Sequence, residues 1–275
     1  MTAPDVSSRS LADLFSLAGR TALVTGGARG IGESIARRLV EAGAAVAIGD
    51  TDVALAEQTA KSLSPEVAAV ELDVASPTSV RAAVDAVEQR VGPIDVLVNN
   101  AGLLPPPVPA INFDDAQWQE VLAVNVTGVM NCTREVTRRM VERNSSGAVV
   151  NIASVAAFRA TSPGMIAYTT SKHAVNALTK MFALELGPHG IRVLDIAPSM
   201  VETPGMEELR ALSTARAAEG GGVVRIGRPE AFARLPLGRA AVPDDVARVV
   251  VFAISDLATF MTGSTLAVDA GSLVR

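Results

Sequence analysis

Apolar residues fall along this chain in short runs, and the segments between the runs repeat their apolar positions with the spacing of one helix face. The runs cover 21–25, 45–48, 67–72, 96–98, 148–152, 193–196 and 265–268. Helical periodicity is predicted over 31–41, 53–63, 80–91, 118–143, 166–186 and 243–257. Unbroken apolar runs are what strands look like when both faces of a parallel sheet are covered. The alternation therefore predicts an α/β fold, a doubly wound parallel seven-stranded sheet, in a single domain over 19–275. Residues 1–18 precede the first strand as an N-terminal arm, packed over the domain or disordered. One connection breaks the rhythm. Between Ser199 and Val242 lie Pro204, Pro229, Pro236 and Gly220-Gly221-Gly222, with weak periodicity. An irregular insertion of that length reads as a substrate lid at about 199–242.

Composition narrows the class. Hydrophobic residues make up 49% and charged residues 19% of the 275, which places the chain among globular proteins. A net charge of −5 with no basic patch disfavours nucleic acid or an anionic membrane surface as partner. No apolar stretch approaches the ~20 residues needed to span a bilayer. The first ten residues are polar and carry no apolar signal core, so a cytoplasmic location is the default expectation. A single cysteine, Cys132, allows no internal disulfide, and no metal site is expected.

The first strand runs into Thr25-Gly26-Gly27-Ala28-Arg29-Gly30-Ile31-Gly32 and then a helix. Glycines there let the backbone turn sharply and approach a pyrophosphate, and the helix start offers unpaired N–H groups to it. Alone, the spacing also describes an ordinary strand-to-helix turn. Asp50 adds weight: it ends the second run, 20 residues after Gly30, where a carboxylate can bind an adenosine ribose. Asp73 follows the third run, within reach of an adenine edge; as a helix cap, Ser76 is the better placed residue. Asn99-Asn100-Ala101-Gly102 closes the fourth run, small enough to pack beside a ribose or simply to turn.

Tyr168 and Lys172 stand four apart, on one face of a predicted helix. A phenol titrates too high to act as a base at neutral pH, and a neighbouring ammonium favours its charged form. The pair suits a tuned acid/base for an alcohol proton, although most pairs with this spacing are a half-buried Tyr beside a surface Lys. Ser154 ends the fifth run, 14 residues before Tyr168, and so faces the same crevice at the strand ends, unless it only caps the next segment. Asn125 lies mid-helix among apolar residues, where an amide must be satisfied. It reads as one buried structural hydrogen bond, a relay, or both.

Taken in order, these segments resemble the short-chain dehydrogenase/reductase family from about 19 to 271, ending on Val268-Asp269-Ala270-Gly271. The resemblance implies a Rossmann-type fold and an oxidoreductase. Tyr168 would be the proton donor and acceptor. Lys172 would bind the nicotinamide ribose and lower the Tyr168 pKa, Ser154 would orient the substrate oxygen, and Asn125 would hold a water on a proton path. The cofactor would lie over Gly26, Arg29, Gly30, Ile31, Gly32, Asp50, Asp73, Val74, Asn100, Ala101 and Gly102. Tyr168 and Lys172 would touch it too, and Pro198, Val201 and Thr203 would meet its carboxamide. Two departures stand out: Ser199 where the family usually has Gly after Pro198, and Ala270 where Gly is frequent, the latter with no evident consequence.

The expected function is NAD-dependent hydride transfer between nicotinamide and a secondary alcohol or ketone. The nearest alternative is an NADP-dependent 3-oxoacyl or other carbonyl reductase, with Asp50 against Arg29 as the discriminator. A third reading, of another class, is a catalytically silent dinucleotide-binding regulator, which would be expected to have lost Tyr, Lys or Ser. The pocket walls are expected from 103–108, with Pro105-Pro106-Pro107 as a stiff wall, from 155–165, and from the lid. Arg159, Arg225, Arg228 and Arg234 read as solvated or as contacts to an anionic substrate group. The resemblance also implies a homotetramer, since related enzymes commonly pair the two long helices, here 118–143 and 166–186, across one interface and use the last strand and its helix in another; Val129, Met130, Val136, Met181 and Phe182, apolar positions beyond one core-facing stripe, fit that.

Overall fold

The computed structural model describes residues 3–218 and 232–274. Seven parallel strands form one sheet: β1 (Thr21–Thr25), β2 (Ala45–Asp50), β3 (Ala68–Glu71), β4 (Val96–Asn99), β5 (Gly147–Ile152), β6 (Ile191–Pro198) and β7 (Thr265–Val268), in the order β3-β2-β1-β4-β5-β6-β7. The order reverses between β1 and β4, which opens a crevice at the carboxyl ends of these strands.

Between the strands run α2 (Gly30–Glu41), α3 (Val53–Leu63), α4 (Pro77–Arg90), α5 (Asp115–Leu122), α6 (Gly128–Glu142), α7 (Ile166–Leu186), α8 (Pro204–Ala218) and α9 (Pro243–Ile254), after a short α1 (Leu11–Phe15). Side chains alternate along each strand between two cores. Val24, Ile48, Val98 and Ile196 pack against Ile35 and Leu39 of α2, Ala56 of α3 and Val250 of α9. Leu23, Leu97, Val149 and Val193 pack against Val84 of α4, Cys132 and Met140 of α6 and Ala183 of α7. Leu97 and Ile196 are fully buried, and truncating either to Ala costs ~2–5 kcal/mol. Burial pushes the Cys132 thiol up to about 12, so it acts as a small apolar filler and not as a nucleophile.

Local chemistry sets the helix ends. The Asp52 and Ser76 side chains accept from the third N–H of α3 and α4, and Pro77 takes the first position of α4. The half-buried Arg192 guanidinium closes α9 by donating to the carbonyls of Ala253, Ile254 and Ser255 at 2.7, 3.0 and 3.2 Å. That stops the helix at Ile254, short of the expected Leu257.

Two further expectations are corrected. The helix expected over 118–143 is interrupted at Ala123–Thr127 by a π-helical turn between α5 and α6, since apolar periodicity cannot separate an i→i+5 turn from an i→i+4 one. The connection after Ser199 is not irregular throughout. Pro204 starts the 15-residue α8, because proline without its N–H fits the first turn of a helix. Gly220-Gly221-Gly222, Arg225, Arg228 and Pro229 lie outside the described residues. The arm packs over the domain: Leu17 is fully buried, and Arg9 and Arg20 both reach the Asp256 carboxylate. No helix among the described residues is long and apolar enough to cross a membrane.

Candidate active site

At the strand ends lies a cleft of about 890 Å³. It is lined by Gly26, Arg29, Gly30, Ile31, Asp50, Asp73, Val74, Asn100, Ala101, Gly102, Ser154, Tyr168, Lys172, Pro198, Val201 and Thr203. Gly32 and Asn125, also expected there, stand behind the wall.

The turn after β1 is shaped for a close approach. Gly26 has φ +60°, and a Cβ on it would meet the Cα of Ala101 at 2.8 Å; a Cβ on Gly32 would sit 2.1 Å from the carbonyl oxygen of Gly26. Asn100 fastens this turn, donating to the carbonyls of Thr25 and Gly26 at 3.0 and 2.8 Å, while the Thr25 hydroxyl accepts from the N–H groups of Asn100 and Ala101, both at 3.0 Å. The Thr25 clamp was not foreseen; its signal was a hydroxyl at the end of the strand that leads into the glycine turn. No side chain caps the N-terminus of α2. Its first N–H groups and its positive dipole end therefore face the turn without a protein acceptor, the arrangement a diphosphate needs.

Asp50 sits half-buried at the end of β2. One carboxylate oxygen accepts from the Ala28 N–H and the other from the Asp52 N–H, each at 3.1 Å. Arg29, set against Asp50 as the cofactor discriminator, donates to Glu208 of α8 at 2.6 Å. This pair crosses from the glycine turn to the segment after Ser199, and both residues line the cleft. Asp73 is exposed at the cleft edge and accepts from the Ala75 N–H at 2.9 Å, while Ser76 provides the helix cap.

Three groups meet at the other end. Ser154 caps a short 3₁₀ turn by accepting from the Ala156 N–H at 3.1 Å, and it lines the cleft together with Tyr168, so the two readings of this serine coexist. The buried Lys172 donates from Nζ to the carbonyl of Ile152 at 2.7 Å. Burial lowers its pKa to about 8, opposed by the charge of Asp195. Burial pushes the Tyr168 phenol above its ordinary value and the contact with Ser154 draws it back; the partial exposure of the ring to the cleft tempers the rise. Ser154 draws the phenol down, and the Lys172 ammonium, expected to do so, stands over the ring 5.6 Å from its centre.

Asn125 occupies the π-helical turn and is buried. Its amide donates to the Leu103 carbonyl and the Ser171 hydroxyl, both at 3.0 Å, and its oxygen accepts from the Leu103 N–H at 2.7 Å. The structural reading of this residue therefore holds, and it fixes the loop that begins the pocket wall.

Leu103, Leu104, Pro106, Val155 and Met165 form the expected walls; of the three consecutive prolines only Pro106 faces the cleft. Met200, Met206, Leu209 and Leu212 close the far side from the segment after Ser199 and from α8. A wall from this segment was expected; that α8 supplies it was not, because Pro204-Gly205 reads as a loop. Arg159 and Arg234 are not among the lining residues. Ser199 adopts no positive φ, so glycine is not required there. Ala270 does matter: its φ is +51°, a left-handed conformation that crowds its Cβ.

A family model described as short chain dehydrogenase matches residues 20–213. The chain is 38% identical over 258 residues to a 3-alpha-(or 20-beta)-hydroxysteroid dehydrogenase of Mycobacterium tuberculosis, covering 94% of this chain and 90% of that one. It superposes with a TM-score of 0.84 on a gluconate 5-dehydrogenase from Burkholderia cenocepacia in complex with NADP and tartrate, at 35% identity over 97% of this chain and all of that one (100%). A 3-ketoacyl-(acyl-carrier-protein) reductase from Brucella melitensis complexed with NADH gives a TM-score of 0.82 at 33% identity, over 93% and 99% of the two chains. With the glycine turn, the Ser154–Tyr168–Lys172 group and these likenesses in one continuous sheet, the chain belongs to the short-chain dehydrogenase family.

Proposed function

We propose that this chain is an NAD-dependent oxidoreductase that interconverts a secondary alcohol and a ketone, with Tyr168 moving the proton. The observation that carries the reading is the convergence of Ser154, Tyr168 and Lys172 on one cleft with the turn at Gly26. The cradle fits a dinucleotide: the tight turn that forms it has no room for a Cβ on Gly26 or Gly32 against neighbouring backbone, and the uncapped start of α2 suits the diphosphate. A nicotinamide held there would supply the hydride acceptor or donor. The chain's own part is proton handling. The Ser154 hydroxyl holds the substrate oxygen, Tyr168 takes its proton or returns it, and the Lys172 ammonium stabilises the phenolate and reaches for ribose hydroxyls. Gly30, Ile31, Asp73, Val74, Asn100, Ala101, Gly102, Pro198, Val201 and Thr203 complete the cofactor wall. Asn125 supports the site by fixing Leu103.

NAD is preferred on this reading because two backbone N–H groups anchor the Asp50 carboxylate where the adenosine ribose would lie. Glu208 neutralises the neighbouring Arg29, so the cation that would welcome a 2′-phosphate is already engaged. The NADP-dependent carbonyl reductase remains the runner-up. An intact Ser154, Tyr168 and Lys172 argues against a silent regulator. The substrate is a neutral, ring-sized, largely apolar alcohol or ketone, since Leu104, Pro106, Met165, Met200, Met206, Leu209 and Leu212 dominate the open end, with Thr161 and Ser162 as neutral polar groups beside them. Competition among neutral cyclic, sugar-acid and thioester substrates tests this: preference for a charged substrate would overturn it.

A homotetramer is retained with a changed basis. Val129 and Val136 belong to the chain's own core and Phe182 packs against it, whereas Met181 and Leu184 on α7 are exposed. Light scattering at micromolar concentration checks this, and a monomer would contradict it.

A further inference from the structure

A row of polar side chains crosses the core one residue below the cleft floor. Asn99 of β4, Asn151 of β5, Asp195 of β6 and Thr265 of β7 are in register across four strands and so face one side of the sheet, toward α6 and α7. The two asparagines are satisfied by neutral partners: Asn99 donates to Thr133 and Asn151 at 2.9 and 2.8 Å, and Asn151 donates to Thr179 at 2.8 Å. Asp195 is different. It is fully buried, one oxygen accepts from the Asn176 amide at 3.0 Å, and Oδ1 has no hydrogen-bond partner. Asn176 also donates to the Thr265 hydroxyl at 2.8 Å, which holds the carboxylate's neighbours in place.

Burial pushes the Asp195 carboxyl above its ordinary value, and Thr265, Asn176, Lys180 and Lys172 draw it back; its ionised form persists in a core only beside an opposite charge. From β5 and β7 Asp195 faces the neutral Asn151 and Thr265. From α7 it faces Asn176, the buried Lys172 and the exposed Lys180. Lys172 lies one helical turn before Asn176, and its ammonium is tied to the carbonyl of Ile152, which pairs with the residue after Asp195. Each charge is buried with too few hydrogen bonds, and each offsets the burial of the other.

We propose that Asp195 is a positioning residue for the active site, a buried counter-charge beneath the sheet ends that keeps Lys172 protonated. It rests on the reading of Lys172 as the cationic partner of Tyr168, but the charge coupling itself does not depend on turnover. The sign is fixed by electrostatics: removing the carboxylate makes the buried ammonium easier to deprotonate, so the lysine neutralises at lower pH. With less support for the phenolate, Tyr168 needs higher pH to lose its proton. The pH range for alcohol oxidation therefore narrows from both sides.

The lysines of this chain are Lys61, Lys172 and Lys180, few enough to titrate individually by carbon-13 NMR of their side chains in the full-length protein. Asp195→Asn keeps the shape and an acceptor for Asn176. The expected result is a Lys172 midpoint lowered by roughly 1 pH unit relative to wild type, with Lys61 unmoved, and an alkaline limb of kcat/KM lowered by the same amount. An unchanged Lys172 midpoint in a folded variant overturns the proposal. A shifted midpoint in a chain inactive on every alcohol leaves the coupling standing and removes the catalytic reading instead. If the variant does not fold, the wild type still decides: Lys172 already neutral at neutral pH overturns the proposal, and Lys172 charged there with Asp195 ionised in the carboxyl spectrum supports it.

Discussion

The Lys172 ammonium stands over the face of the Tyr168 ring, 5.6 Å from its centre. An ammonium at that distance acts on the ring through its field, and the phenol feels the same field when it gives up its proton. Tyr168→Phe keeps the ring, the packing and this contact but loses the proton. Cofactor binding and the thermal midpoint should stay near wild type while kcat falls ~100- to 10,000-fold. Activity within a few-fold of wild type would remove Tyr168 from the mechanism.

Burial holds the Lys172 pKa at about 8. The charged form, present below that value, is the one that supports the phenolate and the ribose. In the free enzyme kcat/KM should therefore decline as pH rises through about 8, since this ratio reports ionisations of the unliganded protein. Lys172→Met should lower activity throughout and abolish that limb. A profile flat across this range in wild type would contradict the assignment.

Asp50 predicts cofactor choice. A fixed carboxylate facing a 2′-phosphate in a partly desolvated site costs on the order of 1–4 kcal/mol, roughly a tenfold to several-hundred-fold preference for NAD. Asp50→Ala should narrow the ratio mainly through the two cofactor KM values. A wild type with the higher kcat/KM for NADP would assign selection to Arg29 instead.

Ala270 stores strain. Its left-handed φ of +51° is one that glycine adopts freely. Ala270→Gly relieves roughly 1–2 kcal/mol of crowding and gives back ~0.4–1 kcal/mol through the looser unfolded chain. Denaturant melts should show a stabilisation between zero and about 1.6 kcal/mol, with an unchanged slope; a destabilised variant would show that the Ala270 Cβ makes contacts worth more than the strain.

Much of this site was legible because its residues sit at positions that sequence patterns mark. Ser154 ends a strand run, and the spacing of Tyr168 and Lys172 is that of one helix face. The glycine turn and Asp50 follow the first two strands in the same way. What escaped the pattern depends on long-range packing. Nothing local to Arg29 announces Glu208, 179 positions along the chain. The π-helical turn around Asn125 has the same apolar spacing as the helices it joins. The strain at Ala270 belongs to a backbone angle that composition does not express. Asp195 did leave a trace, a charged residue inside the apolar run 193–196. Its meaning emerged only when β6 was seen in register with Asn151 and Thr265.

The central claim is tested most directly by following the absorbance of reduced nicotinamide after mixing the chain with NAD and a series of neutral cyclic secondary alcohols. The account predicts steady formation of the reduced cofactor with at least one such alcohol, faster with NAD than with NADP, and its loss in Tyr168→Phe. A chain that binds NAD yet turns over no alcohol, and reduces no corresponding ketone with either reduced cofactor, would contradict it.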